Sequence, residues 1–69
     1  MTKTMKIEGM MCHHCENAVQ KALDSIEGVS VLEVSHEKGI ARVMLEKKIP
    51  DDSLKAVIEA EDYTVISIS

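Results

Sequence analysis

The apolar residues of this chain switch repeatedly between a spacing of two and a spacing of about 3.6, and few folds accept the resulting order of elements. Met5 and Ile7 alternate with Lys6 and Glu8, which predicts a first strand. From Cys15 onward, Ala18, Val19, Ala22, Leu23 and Ile26 recur at helical spacing. Glu16, Gln20, Lys21, Asp24 and Glu27 take the opposite, solvated face, and Gly28 is expected to end the helix. Val29 to His36 reads as a second strand with Leu32 and Val34 in alternation, and His36-Glu37-Lys38-Gly39 as a hairpin connection. Ile40 to Glu46 follows as a third strand, with Ala41, Val43 and Leu45 on one face. Pro50-Asp51-Asp52 starts a second helix, its acidic residues matched to the positive end of the helix dipole and its apolar stripe formed by Leu54, Val57 and Ile58. Tyr63 to Ser69 is the last strand.

The order β-α-β-β-α-β with right-handed crossovers leaves one natural solution. It is an α+β, ferredoxin-like sandwich: a four-stranded antiparallel sheet with two helices on one face and the other face open to water. A length of 69 residues allows one domain, residues 1–69. With one Tyr, no Phe and no Trp, its core must be built from Ile, Val, Leu, Ala and Met. The same scarcity excludes an aromatic RNA-binding sheet. Twelve acidic against eight basic residues, a net charge of -4, argue against nucleic-acid binding through a basic face. No apolar run is long enough to span a membrane, so no direct membrane insertion is expected. The opening Met1-Thr2-Lys3-Thr4 lacks a basic-then-apolar leader, which points to a cytoplasmic, reducing location where a stapling disulfide is not expected. A small core leaves little room for an enclosed active site, so binding is expected in place of enzymatic catalysis.

Chemistry concentrates in Gly9-Met10-Met11-Cys12-His13-His14-Cys15-Glu16. A Cys-x-x-Cys by itself fits a metal site, a redox pair or chance. Here it sits where the first strand passes into the first helix, and free N–H groups and the helix dipole favour a thiolate there. Two soft thiolates with no third cysteine suit an ion content with few ligands, of which Cu(I) is the leading example. Zinc-finger spacing fails for want of a second ligand pair, and the c-type haem motif fails because Glu16 follows Cys15.

These residues resemble a known family. Gly-Met-x-Cys-x-x-Cys after a first strand, within this element order, looks like the heavy-metal-associated domain, and within it the small bacterial cytosolic copper chaperones of the CopZ type. Met10, Cys12 and Cys15 match the family motif. Gly28-Val29, Leu54, Ile58 and Tyr63-x-Val65 match its later elements, so the resemblance covers essentially the whole chain. It implies Cu(I) held by Cys12 and Cys15 and passed by ligand exchange to the metal-binding domain of a copper-transporting P-type ATPase. Members with Asp before the first cysteine tend to handle Zn(II) or related ions, and Met11 stands there in this chain. Two residues depart from the family pattern. Asp62 replaces a glycine before Tyr63 and is expected to tolerate the left-handed turn, and His36 replaces an apolar residue.

The remaining candidates divide between metal chemistry and plain structure. Met10 is expected to pack beneath the loop as an anchor and Met11 to be exposed. His13 and His14 read as solvated loop residues, with His14 as an auxiliary ligand in the alternative. His36 reads as a strand-end histidine. Tyr63 is expected near the cysteine loop, as loop support or as a hydrogen-bond donor toward sulfur. Rival functions are a carrier of Zn(II), Hg(II) or another heavy metal, an N-terminal domain of a metal-transporting ATPase, and a small thiol–disulfide oxidoreductase. A Cu(I)-bridged homodimer and delivery to a copper-responsive repressor are further expectations of an open two-thiolate site.

Overall fold

A computed structural model describes residues 1–69. The elements are β1 (Thr2–Glu8), α1 (His13–Asp24), β2 (Val29–Ser35), β3 (Ile40–Leu45), α2 (Asp51–Glu59) and β4 (Thr64–Ile68). The strands form one sheet in the order β2-β3-β1-β4, with every neighbouring pair antiparallel. Thus β1, the strand that leads into the cysteine loop, lies at the centre of the sheet beside β4. This is the ferredoxin-like arrangement the element order predicts.

The core lies between the sheet and both helices. Met5 and Ile7 of β1 meet Ala41, Val43 and Leu45 of β3, Val19 and Leu23 of α1, Leu54 and Ile58 of α2, and Val65 of β4. Met5, Val19, Leu23, Val43, Leu54 and Ile58 are fully buried, each contributing about 1.5–3 kcal/mol of apolar transfer. The alternation in β3 is the one expected: Ala41, Val43 and Leu45 point inward and Arg42 and Met44 outward.

Two strands do not keep a simple period of two. The β2–β3 register passes from Val31↔Val43 to Glu33↔Arg42, which leaves Leu32 as an extra residue on β2. Val29 and Val31 therefore face the core before the irregularity and Val34 after it, while Leu32 is exposed. This corrects the expected pairing of Leu32 with Val34 on one face. The β1–β4 register similarly passes from Lys6↔Ser67 to Ile7↔Val65, leaving Ile66 unpaired and exposed. An inserted residue flips the side-chain phase, so Val65 and Ile68 both pack on the core although they are an odd number apart.

Local chemistry sets the element ends. Helix α1 stops at Asp24, earlier than Gly28, with Ser25 as its C-cap and the Ser25 hydroxyl donating to the Ala22 carbonyl at 2.6 Å. Gly28, at φ +89°, instead turns the chain into β2. Pro50 takes the N-cap of α2, and Asp51 and Asp52 fill its first turn. Asp62 has φ +68°, so it adopts the left-handed conformation expected of it just before Tyr63. No helix is long and apolar enough to cross a membrane.

Candidate metal centre

The cysteine loop is held from below and left open above. Gly9 leaves β1 at φ +105°, a conformation that disfavours any side chain, and a Cβ there would sit 3.4 Å from the Tyr63 ring. The Tyr63 ring thus lies against the start of the loop. Met10 then turns inward and is 7% exposed, whereas its neighbour Met11 is 83% exposed. Met10 belongs to the core cluster and ties the loop to it.

Cys12 is the N-cap of α1, in extended backbone at φ -161° and ψ 177°. Its carbonyl accepts the amide hydrogens of Cys15 at 3.1 Å and Glu16 at 3.3 Å. Cys15 therefore lies in the first helical turn, half-buried against the core, while Cys12 is exposed. Both are free thiols, with their sulfurs 3.9 Å apart. Two metal–sulfur bonds of about 2.3 Å span at most about 4.6 Å. The observed separation accepts a bent bridge as it stands, and a small outward swing of exposed Cys12 reaches a linear one.

The site favours thiolate. Hydrogen bonding from the Met11 backbone, then from the Tyr63 hydroxyl, lowers the Cys15 pKa to about 7 against the opposing effect of burial, and the Cys12 backbone and thiol add to the lowering. The pairing also acts on Tyr63. Hydrogen bonding to Cys15, aided by burial and the nearby negative charges, raises its phenol to about 12, so it remains a donor across the physiological range.

One group of residues in this region is brought together that the sequence reading left apart. Glu16 is not on the solvated face. It follows the i, i+3, i+7 stripe with Val19 and Leu23, and its carboxylate meets His36 from the β2–β3 connection. The His36 amide donates to Glu16 Oε2 at 2.7 Å and the His36 ring nitrogen Nδ1 lies 2.7 Å from the same oxygen. His13 Nδ1 lies 3.0 Å from Glu16 Oε1. The His36 backbone and ring, with His13, hold the Glu16 carboxyl down at about 2. His36 is therefore more than a strand-end residue, and His13, solvated as expected, opens α1 and reaches the same carboxylate. The available signal was the pair of anomalies: a carboxylate on the buried stripe and a histidine where the family pattern has an apolar residue. His14 is exposed and stands outside this group.

Comparison with known proteins places the chain. The model of the heavy-metal-associated domain matches residues 4–64. The chain is 41% identical over 64 residues to the copper chaperone CopZ of Staphylococcus epidermidis, covering 91% of this chain and 94% of that one. A solved CopZ metallochaperone superposes with a TM-score of 0.87 at 35% identity, covering 96% of this chain and all of that one (100%). The Hg(II) complex of the N-terminal domain of Tn501 mercuric reductase gives 0.77 at 32% identity, with 90% of each chain covered. A copper binding domain from a P-type ATPase gives 0.83 at 25% identity, covering 100% of this chain and 99% of that domain. With the strand-loop-helix geometry around Cys12 and Cys15 and a match along nearly its whole length, the chain belongs to the heavy-metal-associated domain family.

Proposed function

We propose that this protein is a soluble, cytoplasmic copper chaperone in which residues 1–69 act as one domain. Cys12 and Cys15 hold one Cu(I), and Met10 and Tyr63 support the loop that carries them. The observation that carries this reading is the pair of free thiols 3.9 Å apart, one exposed at the start of α1 and the other held near neutral pKa in its first turn. Such a site binds a soft ion with few ligands and leaves it accessible. The whole-length likeness to CopZ copper chaperones supports copper as the ion.

Accessibility provides the means of delivery. A thiolate from a partner joins the two-coordinate ion, Cys12 leaves first because it is exposed and outside the helix, and Cys15 follows. Each sulfur that joins matches one that leaves, so the ion keeps its charge and oxidation state and no bare ion is released. The role is transfer of an ion, with no covalent bond of a substrate made or broken. A metal-binding domain of a copper-transporting P-type ATPase suits as partner, since a copper binding domain from a P-type ATPase shares this fold. Without a partner, two chains can share Cu(I) through four thiolates as a homodimer, and a copper-responsive repressor is a second acceptor by the same chemistry. His14, exposed beside Cys15, is available as an auxiliary ligand during exchange.

The test is direct transfer. Cu(I)-loaded chain is mixed anaerobically with the metal-binding domain of a copper ATPase, the two are separated by ion exchange, and copper is measured in each. Copper should redistribute within the mixing time even when a competing small-molecule chelator is present. Copper that stays on this chain, or that reaches the domain only after release to the chelator, contradicts the proposal. The likeness to an Hg(II)-binding domain supports a rival reading, a carrier of Hg(II), another soft ion that two thiolates satisfy. Transfer of Hg(II) with no transfer of Cu(I) under the same conditions decides for the rival.

A further inference from the structure

Beside the thiol pair, a second set of ligand-type side chains converges from two separated parts of the chain. His13 opens α1, Glu16 follows one turn later, and His36 arrives from the β2–β3 connection. One ligand atom from each lies within 4.8 Å of the other two. The two imidazoles approach edge to face, with centroids 5.0 Å apart and planes at 72°, and both present Nδ1 to the same carboxylate. Glu16 and His36 are held in place, with side chains only 19% and 20% exposed, and the His36 amide fixes the carboxylate from behind. His13 is exposed and closes the group from the solvent side.

We infer that His13, Glu16 and His36 form a second metal site, for a borderline divalent ion of the Zn(II) type. Two imidazoles and one carboxylate are a nitrogen–oxygen donor set that suits such an ion, and they leave a fourth position to water. Tetrahedral bonds of about 2.0–2.1 Å put neighbouring ligand atoms about 3.4 Å apart. The present Nδ1–carboxylate contacts, 2.7 Å for His36 and 3.0 Å for His13, open to this spacing by small rotations of both rings, His13 being the freer of the two. Ligation through Nδ1 requires each neutral ring as the Nε2–H tautomer, which leaves Nδ1 free as a lone-pair donor. The backbone amide of His36 then serves as the outer hydrogen bond that orients a ligating carboxylate. An ion here ties the segment between Cys12 and Cys15 to the β2–β3 connection.

This site uses neither cysteine and stands whether or not the thiols carry copper, so it is tested without them. In the full chain carrying Cys12→Ser and Cys15→Ser, Zn(II) is titrated against a chromophoric chelator of micromolar affinity. One Zn(II) per chain is expected, weakened at least tenfold by His36→Gln or Glu16→Gln and unchanged by His14→Asn. The far-UV spectrum of each variant checks that it is folded. A measurement free of ring variants runs alongside: on Zn(II) addition the ring-proton NMR signals of His13 and His36 move together while those of His14 stay. No Zn(II) bound at micromolar concentration overturns the inference, as does binding that survives His36→Gln or that moves His13 and His14 without His36.

Discussion

Met10 separates an anchoring role from a ligating one. The residue lies in the Met-x-Cys-x-x-Cys motif, two positions before Cys12, yet its side chain is 7% exposed and belongs to the core cluster. Met10→Ala removes Cγ, Sδ and Cε from a packed position. Buried Met→Ala changes cost about 2–5 kcal/mol, the spread reflecting how far the surroundings collapse into the space. Met10 lies at the margin of the core under a loop that can settle inward, so the low end, about 2–3 kcal/mol, is expected. For a domain this small each kcal/mol lowers Tm by about 4–8 °C, so the expected fall is roughly 10–20 °C. Circular dichroism at helical wavelengths is the suitable probe, because Tyr63 is the only aromatic residue. Met11→Ala is the control: at 83% exposure it should change stability by no more than about 0.5 kcal/mol. At temperatures where Met10→Ala is folded, one Cu(I) per chain should still bind. A Met10→Ala chain as stable as Met11→Ala refutes the packing argument, and loss of Cu(I) from a fully stable Met10→Ala chain makes Met10 a ligand.

Other expectations concern protons. Tyr63→Phe removes a hydroxyl that helps hold Cys15 at about 7, so the pH midpoint of Cys15 alkylation in a Cys12→Ser background should rise. An unchanged midpoint means that the phenol does not act on the sulfur. Glu16 has a folded pKa of about 2, below its ordinary 4.5. A depressed carboxyl adds stability that is full above its unfolded pKa and is lost as pH falls through the folded one, so the Glu16 contribution should drain away between about pH 4.5 and 2. Urea unfolding across this range should show a shallower acid loss for Glu16→Gln than for the natural chain, and identical slopes contradict the His36–Glu16 account.

Most of the fold was legible because its periods are local. The apolar stripes of α1 and α2 and the alternation in β3 need only neighbouring residues to be read, and they fix the element order from which the topology follows. Leu32 and Ile66 were not legible in this way. Each is the extra residue of a register shift, and a register belongs to two strands at once. The end of α1 was misread at Gly28 because a glycine with positive φ serves a strand entry as readily as a helix end. In the site, the burial of Met10 and the exposure of Met11 followed from packing preference. Glu16 and His36 escaped because they are 20 residues apart, and the β2–β3 connection must be placed against α1 before either finds its partner.

The central claim is that Cys12 and Cys15 together hold Cu(I), and an anaerobic competition titration against a Cu(I) chromophoric chelator, run beside Zn(II), tests it most directly. The account predicts one tightly held Cu(I) per chain, preferred strongly over Zn(II), and lost in both Cys12→Ser and Cys15→Ser. Full Cu(I) affinity in either serine variant, or Zn(II) bound by the thiol pair as tightly as Cu(I), contradicts it.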